Sequence, residues 1–184
     1  MPMWLFVLKF LWLIVPGAVA NMAPILAKNH LNFLAKPIDG GRTFKGKPIF
    51  GSHKTWRGLI TGSIVGLLAG ALQGYLYHAY PAIREISIVD FDLIPGWFLG
   101  FLMGFGALVG DAVRSFFKRR VGVAPGKPFF PWDQLDSFIG AVIFVLPFVR
   151  LPWQILVFGI IGVPLVHIIS NFFGYLLGLK KTII

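Results

Sequence analysis

Between Gly58 and Ile83 lie 26 consecutive residues without a formal charge, and between Leu151 and Leu179 there are 29. Leu93 to Gly110 and Phe10 to Ala27 give 18 each, the latter extending outward to Met3 if Lys9 snorkels. A helix needs roughly 20 apolar residues to cross about 30 Å of hydrocarbon, so runs of this length dictate a membrane solvent. Composition agrees. Residues are 57% hydrophobic and only 13% charged, and a water-soluble globule of 184 residues has no interior large enough to hide them. Disorder is excluded by the same balance. The absence of Cys excludes disulfide scaffolds, zinc thiolate sites, iron–sulfur clusters and thiol catalysis.

The stretch from Gln134 to Val149 is shorter and contains Asp136, but its Ile, Val and Phe content still favours a span under locally thinned bilayer. The expected fold is an all-α integral membrane bundle of five transmembrane helices, about 3–27, 58–80, 94–117, 134–150 and 152–178, in one domain over 1–184. Basic residues orient it. Fourteen of the 17 lie in 28–57, in 114–127 or in the tail at Lys180 and Lys181, leaving Lys9, Arg84 and Arg150 on the other side. Five alternating spans reproduce that split, with the N-terminus outside, the C-terminus cytoplasmic, and cytoplasmic loops at 28–57 and 118–133. A cleaved signal peptide fits the first run poorly, because Lys9 interrupts it and a basic loop follows. The expected location is therefore the cell membrane, multi-pass. The net charge of +10 is mostly topology, with anionic headgroups or nucleotide phosphates as further partners. No soluble module is left over to bind nucleic acid.

Gly58, Gly62, Gly66, Gly70 and Gly74 recur every fourth residue, and Gly96, Gly100 and Gly104 repeat the pattern on the third span. Small residues at this spacing let helix backbones approach closely, within one chain or, alternatively, across a homodimer seam. Pro16, Pro24, Pro147 and Pro164 mark kinks or ends.

Only seven carboxylates are present. Asp90, Asp92 and Glu85 sit beside Arg84 in the outer loop and read as a solvated turn, and Asp39 lies in the turn-like Pro37-Ile38-Asp39-Gly40-Gly41. Asp111, Asp133 and Asp136 are different, because a carboxylate at membrane depth costs on the order of 2.5–3.5 kcal/mol and marks function by default. On a helix Asp111, Arg114, Ser115 and Lys118 share one polar stripe, and Asp133 and Asp136 stand side by side at i and i+3. The segment from Arg119 to Pro128, broken by Pro and Gly, turns the two sets into a hairpin. Three carboxylates without His or Cys suit a hard ion such as Mg²⁺ or Mn²⁺, and the adjacent cations, Lys127 among them, suit phosphate oxygens. The alternative is mutual neutralisation, Asp111 with Arg114 and Asp136 with Lys127. A second basic cluster, Gly51-Ser52-His53-Lys54-Thr55-Trp56-Arg57-Gly58, opens the second span and forms either an anion site or a positive-inside anchor. It is not a P-loop, because Ser52-His53 stand where Lys and Ser/Thr are required. Asn21 in the first helix, and His167 with Asn171 in the fifth, read first as interhelical hydrogen bonds.

Ser115-Phe116-Phe117-Lys118-Arg119, a loop, then Asp133-Gln134-Leu135-Asp136 resembles the Ser-x-x-Lys-Arg and Asp-Arg-x-Asp signature of the membrane cytidylyltransferases that make CDP-diacylglycerol. Gln134 replaces the arginine, and the intervening segment is shorter. The whole chain is more similar to the archaeal branch, the CDP-archaeol synthase family. The motifs are Pro37-Ile38-Asp39-Gly40-Gly41, then Gly51…Lys54-Thr55-Trp56-Arg57-Gly58, Gly110-Asp111, and Asn171…Gly178-Leu179-Lys180. The resemblance implies a five-span fold and transfer of CMP from CTP to 2,3-bis-(O-geranylgeranyl)-glycerol 1-phosphate, with release of pyrophosphate. It also implies metal ions on Asp111, Asp133 and Asp136, and phosphate neutralisation by Lys118, Arg119, Lys54, Thr55 and Arg57. Arg114 (which also supports Asp111), Ser115 and Lys127 are further nucleotide- or phosphate-binding candidates, and Asp39, Asn21 and Asn171 are secondary ones. Two rivals remain. A CDP-alcohol phosphotransferase needs an acidic pattern that Asp39-Gly40-Gly41-Arg42 does not continue, and a small transporter would use Asp111 as an ion relay.

Overall fold

The computed structural model describes residues 1–27, 30–124 and 127–176, without the side chains of 167 and 170–176. Six helices account for most of it: α1 Met3–Leu26, α2 Trp56–Ala79, α3 Pro81–Ile86, α4 Gly96–Arg120, α5 Trp132–Val145 and α6 Trp153–Leu176. Between α1 and α2 lie a 3₁₀ turn, Asn32–Leu34, and an antiparallel hairpin of β1 Thr43–Phe44 with β2 Lys47–Pro48, paired Thr43 to Pro48 and Phe44 to Lys47. Helices α1, α2 and α4 are each long and apolar enough to cross a membrane, and α6 carries a shorter apolar stretch, Trp153–Val166.

The expected first and second spans lie within two residues of α1 and α2, and the fifth starts within one residue of α6, its expected end at 178 lying outside the described residues. The third continues beyond the expected 117 to Arg120, so Lys118, Arg119 and Arg120 ride on the helix end, where cations complement the C-terminal carbonyls. The expected 134–150 helix is corrected most. It starts at Trp132 and stops at Val145, because Pro147 supplies no amide and its ring opposes a helical turn. Fourteen residues reach only about 21 Å. Neither the hairpin nor α3 was expected from periodicity, being too short to carry any.

Packing inverts the rule for soluble proteins. The buried face of α2 is Gly58, Gly62, Ser63, Gly66, Gly70, Gln73, Gly74 and Tyr77, while Ile60, Ile64, Leu68 and Leu72 point outward. In lipid an outward Leu costs nothing, so contact between helices is decided by how closely backbones approach. A Cβ on Gly66 would come within 2.8 Å of both the Gly100 carbonyl oxygen and the Gly104 Cα. The two glycine ridges thus face each other within one chain, as the first reading of them expected. A second seam joins α4 to α5, where a Cβ on Gly110 would lie 3.0 Å from the Gly140 Cα. Buried Gln73 donates from Nε2 to the Trp12 carbonyl oxygen at 2.6 Å, tying α2 to α1. Phe10 packs edge-on to Phe158, with ring centroids 5.0 Å apart, and holds α6 to α1. Pro16, Pro24 and Pro164 lie within their helices.

The connections are tied down. Asp90 accepts from the Tyr77 hydroxyl at 3.0 Å, and Asp92 sits 2.9 Å from His78 Nε2 and 3.8 Å from Arg84, so these two acids strap their loop to α2 and α3. On the hairpin side, Arg120 lies 4.3 Å over the Phe116 ring and 5.1 Å over Phe44, while Lys47 Nζ donates to the Arg120 carbonyl oxygen at 3.1 Å. The small hairpin is thereby clipped to the end of α4.

Candidate active site

Gly110 lets the start of α5 lie against α4, and that approach sets the site. It brings Asp133 and Asp136 on the first turns of α5 beside Asp111, Arg114 and Lys118 on α4. Arg114 is the hub. Its Nη2 meets Asp111, its Nη1 meets Asp133, and its Nε stands 2.8 Å from Asp136 Oδ2, an ion pair without the alignment of a hydrogen bond. Lys118, 6% exposed, donates to both oxygens of Asp133 at 3.2 and 3.1 Å. From the segment before α2, Lys54 reaches the other oxygen of Asp111. Three carboxylates and three cations therefore form one neutral cluster. Further bonds fix the carboxylates: Phe129 N donates to Asp133 at 2.8 Å, and Ser137 N and Oγ donate to Asp136 at 2.5 and 3.1 Å.

Sequence reasoning grouped Asp111, Arg114, Lys118, Asp133 and Asp136 around one hairpin and set Lys54 opposite them only through the family resemblance; the structure unites all six. It paired Asp136 with Lys127 in the neutralisation alternative; Asp136 is instead paired with Arg114, and Lys127 is exposed. Other candidates stand outside the cluster. Ser115 is buried and donates to its own helix at the Asp111 carbonyl oxygen, 2.9 Å away. Thr55 caps α2 by accepting from Gly58 N at 3.3 Å, and Arg57 donates to the His30 carbonyl and the Asn32 side chain, both at 3.2 Å. Arg119 closes the α4 end on the Val123 carbonyl oxygen at 2.7 Å. Asp39 organises its own loop: Oδ1 accepts from Gly41 N at 2.9 Å, and Oδ2 from Phe50 N and Gly51 N at 2.9 and 3.2 Å. Burial works to raise its pKa, but the amides from Phe50, Gly41 and Gly51 outweigh it and hold the carboxyl below its usual range. The side chains of His167 and Asn171 lie outside the described residues.

A cavity of about 450 Å³ opens beside the cluster, lined by α1, α4, α5 and α6. Its polar end carries Asp111, Arg114, Asp133, Gln134 and Asp136, and its apolar end runs down to Phe10 and Ile14. Asn21 lines it too, and its side chain makes no hydrogen bond among the described residues. On the opposite side of α4 and α5 a nearly wholly apolar groove of about 630 Å³ also reaches Arg114 and Asp136. Sequence reasoning named Gln134 only as a departure from a signature; the structure adds it to the cavity wall, and its position between Asp133 and Asp136 was the available signal.

As they stand, no three acidic or histidine side chains form an open metal cradle among the described residues. The donor set nonetheless fits a hard cation. It is all carboxylate oxygen, and its three members already converge on a cationic group, the Arg114 guanidinium.

Comparison with known proteins agrees with this architecture. The family model described as CarS-like, CDP-archaeol synthase, matches residues 3–184. CDP-archaeol synthases of Thermococcus gammatolerans and Thermococcus onnurineus are 39% and 38% identical. Those alignments cover 94% and 93% of this chain and 93% of each relative. A solved structure described as an intramembrane enzyme for archaeal membrane lipids biosynthesis superimposes with a TM-score of 0.67 at 28% identity, covering 88% of this chain and 91% of the other. With a lipid-facing exterior, a half-buried acid–arginine cluster and likeness along its whole length, the chain belongs to the CDP-archaeol synthase family.

Proposed function

We propose that the chain transfers CMP from CTP to a glycerol 1-phosphate bearing two isoprenoid ethers, releasing pyrophosphate and leaving a CDP-archaeol-type lipid in the membrane. The family match over residues 3–184 carries this reading. The site chemistry supports it. A lipid phosphate oxygen forms a bond to the α-phosphorus of CTP as the bond from that phosphorus to the pyrophosphate oxygen breaks. The nucleophile is already an anion, so no general base is needed. What the protein must supply is the positioning of two polyanions and compensation of charge on the leaving group.

In this reading Arg114, Lys118 and Lys54 exchange part of their carboxylate contacts for phosphate oxygens, with Arg114 suited to bidentate contact by its planar fork. Arg119, Arg57, Thr55 and Lys127 belong to the surrounding basic surface, and Ser115 holds the α4 backbone at Asp111. Because the cluster is neutral as built, drawing a triphosphate to it requires added positive charge. Asp111, Asp133 and Asp136 are the residues that would hold Mg²⁺ or Mn²⁺, which when bound neutralises phosphate charge. The apolar arm of the cavity and the groove across α4 and α5 provide hydrocarbon surface for the isoprenoid chains. The topology proposed with it is a multi-pass cell-membrane protein of five spans in one domain, N-terminus outside and C-terminus cytoplasmic, with the 28–57 and 118–133 loops on the cytoplasmic side.

Membranes carrying the protein, given labelled CTP, Mg²⁺ and an isoprenoid glycerol phosphate, should move label into the lipid phase. Label that stays in water overturns the reading. A CDP-alcohol phosphotransferase would instead consume CDP-lipid and release CMP, and an ion-relay transporter would do neither.

A further inference from the structure

Asp39 stands outside the acid–arginine cluster, yet it is only 9% exposed and commits both carboxylate oxygens to backbone amides. Oδ1 accepts from Gly41 N, and Oδ2 accepts from Phe50 N and Gly51 N across the base of the β1–β2 hairpin. Gly51 has a φ of 96°, a conformation that favours glycine, and its carbonyl oxygen accepts from Lys54 N at 3.2 Å. The Lys54 carbonyl oxygen accepts in turn from the amide of Ile38, the residue before Asp39, at 2.8 Å. Both main-chain groups of Lys54 are therefore held within one step of Asp39, one through Gly51 and the other through Ile38. From that anchorage the Lys54 ammonium reaches Asp111.

We infer that Asp39 is a positioning residue for the transfer reaction, fixing the loop backbone from which Lys54 enters the site. The inference rests on the cytidylyltransfer reading above and deepens it by a residue that touches neither substrate. Lys54 is the member of the cluster that most needs such help. Asp111, Arg114 and Lys118 ride on α4, and Asp133 and Asp136 on α5, whereas Lys54 comes from the connection before α2. Groups carried by loops are placed less accurately than groups carried by helices unless a supporting shell holds them. A lysine side chain is also long and flexible, so the position of its ammonium depends on where its own backbone is held. A carboxylate suits the task, because two acceptor oxygens serve three amides; an asparagine would offer one oxygen and turn an NH₂ donor toward N–H groups. The effect on rate need not be small. Misplacing a reacting arrangement by about 1 Å from a distance costs on the order of 100-fold.

The experiment is a double-mutant cycle on kcat/KM for CTP, using the wild type, Asp39→Asn, Lys54→Ala and the double variant in detergent with Mg²⁺ and the lipid acceptor. Asp39→Asn alone should lower kcat/KM by about tenfold or more, and in the Lys54→Ala background by less than about twofold. A change that merely reduced the folded fraction would scale the rate by the same factor in both backgrounds. Equal factors therefore overturn the inference, and so does a wild-type rate in Asp39→Asn. Where Asp39→Asn gives no monodisperse protein, Gly51→Ala takes its place, since its Cβ meets nothing within 4 Å and disturbs the same turn through φ alone. Should Lys54→Ala fall below detection, acetylation of wild type and Asp39→Asn by a water-soluble amine reagent is followed lysine by lysine with mass spectrometry. Lys54 should then react several-fold faster in Asp39→Asn while buried Lys118 keeps its wild-type rate. An unchanged Lys54, or a Lys118 that accelerates as much, overturns the inference. A wild type that incorporates no label from CTP sinks the cytidylyltransfer reading itself, and the acetylation rates still decide whether Asp39 places Lys54.

Discussion

Arg114 decides how each acid in the cluster behaves, since one guanidinium meets Asp111, Asp133 and Asp136 at different nitrogens. Asp136→Asn is the most informative change. The amide oxygen can keep the bonds from Ser137 N and Oγ, so the first turn of α5 stays in place, while the charge facing Arg114 is lost. Labelled-CTP incorporation should fall at least about 100-fold, as for other preorganised electrostatic groups, with extraction and melting near wild type. A wild-type rate would return Asp136 to a purely structural ion pair. Asp39 answers to a different test. Its folded pKa is depressed by backbone amides, so the stabilisation it contributes is present above the unfolded carboxyl value, about 3.9, and fades as pH falls through the lower folded value. Asp39→Asn, which cannot serve three amides with one oxygen, should lower the melting temperature at neutral pH and narrow the wild-type-to-mutant gap as the solution is acidified below about pH 4. A gap constant with pH would mean the carboxylate charge contributes nothing there. At this scale the acids were legible because charge at membrane depth is expensive. The roles of Thr55, Arg57 and Ser115 were not, because side chains that phosphate chemistry favours serve equally well as caps and ties, and one sequence does not choose between a ligand and a nearby carbonyl.

At the scale of elements, spacing carried the most information. α2 is apolar all round, so its hydrophobic pattern does not say which face turns inward, whereas a glycine at every fourth position does. The α4–α5 seam was harder to see, because Gly106, Gly110 and Gly140 form no long ridge on one helix and acquire meaning only once the two helices meet. The backbone contacts rank the substitutions. Gly66→Val puts a branched side chain where even a Cβ falls 2.8 Å from the Gly100 oxygen, and neither partner is a side chain that can yield. It should abolish a monodisperse, CTP-stabilised preparation. Gly74→Ala meets the Gly96 Cα at 3.2 Å near the helix end and should cost only a few degrees of melting temperature. Equal tolerance of both by size-exclusion chromatography would mean that α2 and α4 do not pack through these glycines. The end of α5 at Val145 is the place where the sequence misled. An apolar run continues to Val149, but backbone chemistry at Pro147 ends the helix before the hydrophobicity does.

For the molecule as a whole, the open question is which way it faces, and charge answers it through the energetics of insertion. Segments rich in Lys and Arg are retained on the cytoplasmic side, while acids contribute little to orientation. The hairpin at Thr43–Phe44 and Lys47–Pro48 is clipped by Arg120 to the end of α4, so the two basic segments share one side of the bundle. The short α3 and the strap of Asp92 to His78 and Arg84 close the opposite end, where only one basic residue, Arg84, falls between α2 and α4. Because the chain contains no Cys, a single one introduced at exposed Lys45 or at exposed Glu85 reports its own location. A membrane-impermeant maleimide should label Lys45→Cys only in inverted vesicles and Glu85→Cys only in right-side-out ones. Both lie in connections away from the acid–arginine cluster, so inverted vesicles should stay active after Lys45→Cys is labelled. The reverse pattern would place the cluster on the outside, away from the cytoplasmic pool of CTP, and the reaction proposed for this site could not proceed in the cell.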